Sequence, residues 1–150
     1  MKPTESRVVA PPPFNHRLRV YWEDTDAGGV VFYANYLKFF ERARTEWLRA
    51  SGYSQEALRV ERGLMFIVAE TQARYLRPAR LDDQIEVTVQ PLHTGRAGMS
   101  LAQQAWRVAT PDLPRDLLCE GQIRIGCVDA GTFKPSRIPT DLLAALAALP

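Results

Sequence analysis

The amino-acid sequence predicts an α+β domain in which one antiparallel sheet packs against one principal helix. In several separate runs, apolar residues alternate with polar ones, as strands with one covered face require. A single longer run repeats its apolar residues every three or four positions, as an amphipathic helix does. No βα unit recurs, which argues against a doubly wound nucleotide-binding sheet.

Residues 1–13 form a lead-in whose Pro11, Pro12 and Pro13 lack the backbone donors a sheet needs. The folded domain is expected over residues 14–140. Between His16 and Trp22, Leu18, Val20 and Trp22 alternate with Arg17, Arg19 and Tyr21, which predicts a strand with Trp22 on its covered face. The acidic, glycine-bearing stretch from Glu23 to Gly29 reads as a turn. Tyr36, Phe40, Ala43 and Trp47, flanked by Leu37, Phe39 and Leu48, then define one long helix. Its polar face carries Lys38, Glu41, Arg42, Arg44, Glu46 and Arg49, and Gly52 stops it.

A short helix from Ser54 to Arg62 follows, with Ser54 as its cap and Gly63 as its end. Leu64 to Tyr75 reads as extended. Its Met65–Ala69 run fits a buried strand or a helix by period alone, and β-branched Ile67 and Val68 favour the strand. Pro78 breaks this run and Asp82–Asp83 turns the chain. Ile85, Val87 and Val89 then alternate with polar residues in a strand that Pro91 is expected to close. Two more strands are expected, Gly98–Ala109 and Leu117–Val128. In the second of these, Cys119, Gly121, Ile123, Ile125 and Cys127 share a face. Residues 141–150 form a helical tail. One helix cannot protect both faces and edges of such a sheet, so a homo-oligomer is expected.

The 19 basic and 17 acidic side chains are mixed along the chain, and no basic block suits a nucleic-acid backbone. No nucleic-acid partner is expected. No window approaches the ~20 apolar residues that cross a bilayer, and the proline run interrupts any secretory segment. A cytoplasmic protein is the expectation, with Cys119 and Cys127 as reduced packing residues.

The chemistry concentrates at Asp24 and Asp26, which flank Thr25 and precede Gly28 and Gly29. Two carboxylates at this spacing suit a metal, a helix cap, or one structural and one catalytic acid. His16 and His93 supply no ligand-spaced pair, so no metal is expected. Glycines before a helix let backbone N–H groups approach a ligand, and a neighbouring carboxylate can activate water or attack a carbonyl. Arg74, Arg77, Arg80 and Arg96 can meet ligand phosphates or serve as ordinary ion pairs.

The stretch Tyr21–Trp22–Glu23–Asp24–Thr25–Asp26–Ala27–Gly28–Gly29–Val30–Val31–Phe32–Tyr33–Ala34–Asn35–Tyr36, continuing through Glu41–Arg42–Ala43–Arg44–Thr45–Glu46, resembles the hotdog-fold thioesterases related to 4-hydroxybenzoyl-CoA thioesterase. Within that family it is most similar to the branch associated with the bacterial Tol-Pal system. The resemblance extends through Tyr75–Leu76–Arg77–Pro78–Ala79–Arg80–Leu81–Asp82–Asp83, and through Val128–Asp129 and Lys134–Pro135.

It implies a hotdog fold, a curved antiparallel sheet wrapped around one long central helix, assembled as a homodimer or homotetramer. It further implies hydrolysis of an acyl-CoA thioester to a carboxylic acid and free CoA, with no cofactor beyond the CoA of the substrate. By the same likeness Asp26 is the catalytic acid, as nucleophile or general base, and Tyr33 supplies a backbone N–H to the thioester carbonyl. Many Tol-Pal-associated members carry histidine where this chain has Tyr33.

Gly28, Gly29, Val30, Met65, Phe66 and Arg96 are the expected substrate-binding residues, and Glu41 is a reserve catalytic acid. Peripheral association with the cell-envelope system is a further implication. Two other readings fit the fold: an acyl-thioester hydratase or dehydratase, which the histidine-free loop disfavours, and a noncatalytic hotdog module binding an acyl thioester or an envelope partner.

Overall fold

The computed structural model describes residues 13–149, so nearly all of the proline lead-in, and Pro150, lie outside the described residues. The five strands are β1 (Phe14–Arg19), β2 (Leu64–Tyr75), β3 (Gln84–Thr94), β4 (Gly98–Arg107) and β5 (Asp116–Asp129). They form one antiparallel sheet in the order β1-β3-β4-β5-β2, which leaves β1 and β2 as its edges. The long helix α1 (Asn35–Ala50) lies across the inner face, and α2 (Gln55–Arg62) and α3 (Thr140–Ala147) cover one end. This is the hotdog architecture.

Register aligns the apolar positions of neighbouring strands into one layer. Val87 pairs with Ala105 and Ala105 with Cys119, while Leu101 pairs with Ile123, and all five are buried. Phe39, Phe40 and Ala43 of α1 are fully buried in the same core. Each large side chain so placed contributes about 1.5–3 kcal/mol relative to exposure. One polar group is sealed among them. Gln103 of β4, fully buried, donates from Nε2 to the carbonyls of Phe40 (3.0 Å) and Thr88 (3.3 Å), locking helix to sheet.

The helix ends follow their sequence signals. Ser54 Oγ accepts the Ala57 N–H at 3.1 Å, and Gly63 takes φ 64°, a left-handed turn that other residues enter at a cost. Leu142 and Leu146 of α3 are buried, and Asp141 accepts from both the Tyr53 hydroxyl and the Arg62 guanidinium. Both cysteines of β5 are free and buried, and burial pushes the Cys119 thiol up to about 12.

Three sequence expectations are corrected. Strand β1 stops at Arg19 and Trp22, instead of being covered, is 82% exposed in a 3₁₀ turn (Trp22–Asp24). The turn forms because the Asp24 carboxylate captures the Tyr21 N–H (2.8 Å) and so curls the chain away from the sheet. Pro91 does not close β3, which continues to Thr94 with a bulge between Pro91 and His93. Among the described residues β1 pairs with β3 no further than Val89, so none of them asks for a donor at Pro91 on that side. Arg44, placed on the polar face by its period, is partly buried against Gln103.

Candidate active site

The loop between the 3₁₀ turn and α1 is built by short-range hydrogen bonds. The Asp26 N–H donates to the Val30 carbonyl (2.9 Å) and the Gly29 N–H returns to the Asp26 carbonyl (3.0 Å), closing a tight turn. Gly29 has φ 77°, and a Cβ on Gly28 would stand 3.2 Å from Asp26 Oδ1. A side chain at either position would distort the turn or push the carboxylate aside.

The two acids divide their roles. Asp24 is buried: its Oδ2 accepts the Tyr21 N–H, and its carbonyl accepts both the Phe32 N–H (3.0 Å) and Asn35 Nδ2 (2.9 Å). It is structural. Asp26 is exposed, with Oδ1 held by the Gly28 N–H at 2.9 Å and no protein donor on Oδ2 among the described residues. Neither side chain caps α1.

Tyr33 lies two residues before α1, with its ring exposed against Phe32 and Tyr75. Its N–H has no acceptor among the described residues. The loop is also tied to the chain beyond β2. The Val31 N–H donates to the Ala79 carbonyl (2.9 Å), and the Ala79 N–H donates to the buried Tyr36 hydroxyl (3.1 Å). Burial raises the Tyr36 pKa, and the Ala79 bond works against that rise. The sequence reading takes Tyr36 as a helix packing position and gives Asn35 no role at the site. Only Asn35, a polar residue leading an apolar stripe, offers a local signal, because the Tyr36 bond depends on a contact 43 residues away.

The remaining candidates lie elsewhere. Asp26, Gly28, Gly29, Val30 and Tyr33 share the loop at the N-terminal end of α1, which spans about 24 Å at 1.5 Å per residue. Met65 and Phe66 begin β2 near the other end, where Phe66 joins Trp47 and Leu48 of α1 around a cavity of about 140 Å³. Met65, one position earlier on an alternating strand, does not line it. Arg96 sits in the β3–β4 turn, exposed, its carbonyl accepting the Ile138 N–H (2.8 Å). Glu41 lines the cavity and accepts from the Thr45 hydroxyl (2.8 Å), while Glu46 pairs with Arg49. Arg74 pairs with Glu120.

An exposed carboxylate held by a glycine amide, beside an unengaged backbone donor at a helix start, can serve acyl transfer. One group supplies base or nucleophile, and the other meets a developing oxyanion. The fold and this loop together mark the hotdog thioesterases. The chain belongs to the thioesterase-like superfamily, whose model matches residues 20–146.

It is 42% identical over 131 residues to the acyl-CoA thioester hydrolase YbgC of Escherichia coli, covering 87% of this chain and 93% of that one. It is 39% identical over 132 residues to the acyl-CoA thioesterase YbgC of Haemophilus influenzae, covering 88% and 93%. Among solved structures, a probable thioesterase from Bartonella henselae superposes with TM-score 0.77 at 30% identity, covering 85% of this chain and 100% of that one.

Proposed function

We propose that the chain hydrolyses acyl-CoA thioesters, with Asp26 as the acting carboxylate and the Tyr33 N–H as the oxyanion donor. The observation that carries this reading is the exposed Asp26 carboxylate fixed by Gly28, in one loop with the unengaged Tyr33 N–H. The names of the relatives support the same substrate class.

In the reaction a C–O bond to water's oxygen replaces the C–S bond, and one water proton ends on the CoA sulfur. Asp26 either takes that proton from water or attacks the carbonyl itself, in which case water then cleaves the resulting anhydride. A single oxyanion donor is worth about 3 kcal/mol in such transition states. No helix among the described residues is long and apolar enough to cross a membrane.

The same reading includes a second copy of the chain. The predicted binding residues stand at opposite ends of α1, and among the described residues β2 is an edge strand of 12 residues with Ile67, Val68 and Tyr75 exposed. Antiparallel pairing of two β2 edges about a two-fold axis near Ala69 sets Phe66 of one copy opposite Ala73 of the other. Tyr75 lies two positions further on, in edge contact with Tyr33. Two-fold pairing therefore joins the acyl end of one copy to the Asp26 loop of the other.

Asp26→Asn tests the chemistry, because it removes the charge and keeps the shape. Thiol release from acyl-CoA should fall at least about 100-fold with the fold and oligomer intact, while Glu41→Gln loses far less. Turnover of Asp26→Asn within threefold of the parent would remove Asp26 from the mechanism, and a reversed ranking would move the chemistry onto α1.

A further inference from the structure

The cavity at the far end of α1 is mainly apolar, with Trp47, Leu48, Phe66, Val68 and Met99 among its walls, yet Arg44 also lines it. Arg44 Nη1 donates to Gln103 Oε1 at 2.8 Å, and its other donors have no protein acceptor among the described residues. Those donors are not sealed from access. No carboxylate forms an ion pair with Arg44 among the described residues, whereas the part-buried Arg107 pairs with Asp116.

Glu41 on the same wall is engaged by Thr45 and exposed. Burial lowers the Arg44 pKa and Glu41 only partly offsets that. A guanidinium partly withdrawn from water, with donors left over and only part of its charge offset by Glu41, can take an anion that enters the cavity.

We propose that this cavity is the acyl pocket and that Arg44 binds a carboxylate at the far end of a short acyl chain. The preferred substrate is then the CoA monothioester of a small dicarboxylic acid. The inference rests on the thioesterase reading and on the two-copy site. Within one chain, Arg44 stands nine residues beyond Asn35, the first residue of α1, about 13 Å along the helix at 1.5 Å per residue, too far for a short acyl chain. In the two-copy site proposed above, it is the Phe66–Val68 wall that meets the second copy's loop.

The volume suits a short acyl chain. A cavity of about 140 Å³ matches the ~150 Å³ that accommodates a benzene-sized group, or about five water-sized volumes of ~30 Å³. A glutaryl tail, three methylenes and a carboxylate, has that bulk.

The test compares glutaryl-CoA with 5-methylhexanoyl-CoA, which replaces the carboxylate by an uncharged isopropyl group of the same shape. For the unmodified protein, kcat/KM for glutaryl-CoA should exceed that for the isostere by at least about tenfold. Arg44→Met should shift the ratio by about 100-fold toward the neutral substrate. Arg44→Gln, which keeps a donor for Gln103, serves the same purpose if Met disturbs the core.

A parent ratio at or below one, or variants that lower both substrates by the same factor, would overturn the carboxylate assignment while leaving hydrolysis intact. Failure to release thiol from either substrate would overturn the thioesterase reading and this inference with it.

Discussion

The two ends of α1 are built on different physical principles. At the N-terminal end the Asp26 loop is a backbone construction, in which the bonds closing the turn and the Gly28 amide on the carboxylate join residues at most four positions apart. At the C-terminal end the cavity collects side chains from α1, α2, α3, β2, β4 and β5, positions from Glu41 to Leu146. The loop geometry is therefore fixed locally, whereas the cavity is fixed by tertiary packing and, in the proposed assembly, completed by a second copy. Substitutions at the loop should change the rate of chemistry, those lining the cavity should change which substrate is met, and those at the β2 edge should lower turnover by separating the two copies.

The largest effect expected from breaking this arrangement is at the edge itself. Val68→Lys places a charge on the exposed face of β2 where two copies would pair, and should give a folded monomer. Separated from its complement, each loop should lose at least about 100-fold in turnover. Sedimentation alongside thiol release checks both, and a fully active monomer would end the shared-site reading.

Tyr33→Phe sharpens the loop side of the comparison. The phenol is exposed and the proposed contribution comes from the backbone N–H, so turnover should stay within about tenfold of the parent. A fold-intact collapse of about 100-fold would instead bring the hydroxyl into the chemical step.

The smallest effect on activity belongs to Asp141, whose carboxyl is held well below the usual carboxylate range by Arg62 first and Tyr53 second. Because its pKa is depressed in the folded state, its stabilising contribution is complete above the unfolded value near ~3.9 and is lost as pH falls through the folded value. Asp141→Asn should leave turnover unchanged and lower Tm at neutral pH, with the gap to the parent closing in strong acid. Melts from pH 7 down to about pH 2 read this directly, and a gap that persisted in acid would assign the effect to packing. High salt should narrow the gap as well, since the pair is exposed.

This contrast also explains what could be read from the sequence. The Asp26 loop was legible because Asp24, Asp26, Gly28 and Gly29 are consecutive and their bonds are local. The strands were legible where one face is buried, as at Ile85, Val87 and Val89. The split between a structural Asp24 and an exposed Asp26 was left open by spacing alone, because it depends on the Tyr21 N–H curling the chain off the sheet.

Arg44 was misread as solvated because its period places it on the polar side, and only the arrival of Gln103 from β4, 59 residues away, withdraws it from water. Pro91 misled for a related reason. A proline forbids a donor, but which strand sides need one is set by how far β1 extends. The separation of Met65, Phe66 and Arg96 from Asp26 has no local signature, since it follows from strand order.

The buried cysteines of β5 have a practical consequence. The group that thioester hydrolysis sets free is a thiol, the same group that a protein's own cysteines present to a chromogenic disulfide reagent. Cys119, with its thiol pushed up to about 12, and Cys127, also raised by burial, carry almost no thiolate near neutrality, and neither side chain is exposed. The native chain is thus silent to the reagent, and every absorbance change comes from released CoA. Once the chain unfolds, two reactive sulfurs per molecule appear, so the same cuvette that counts turnover on the intact protein also times its loss of structure.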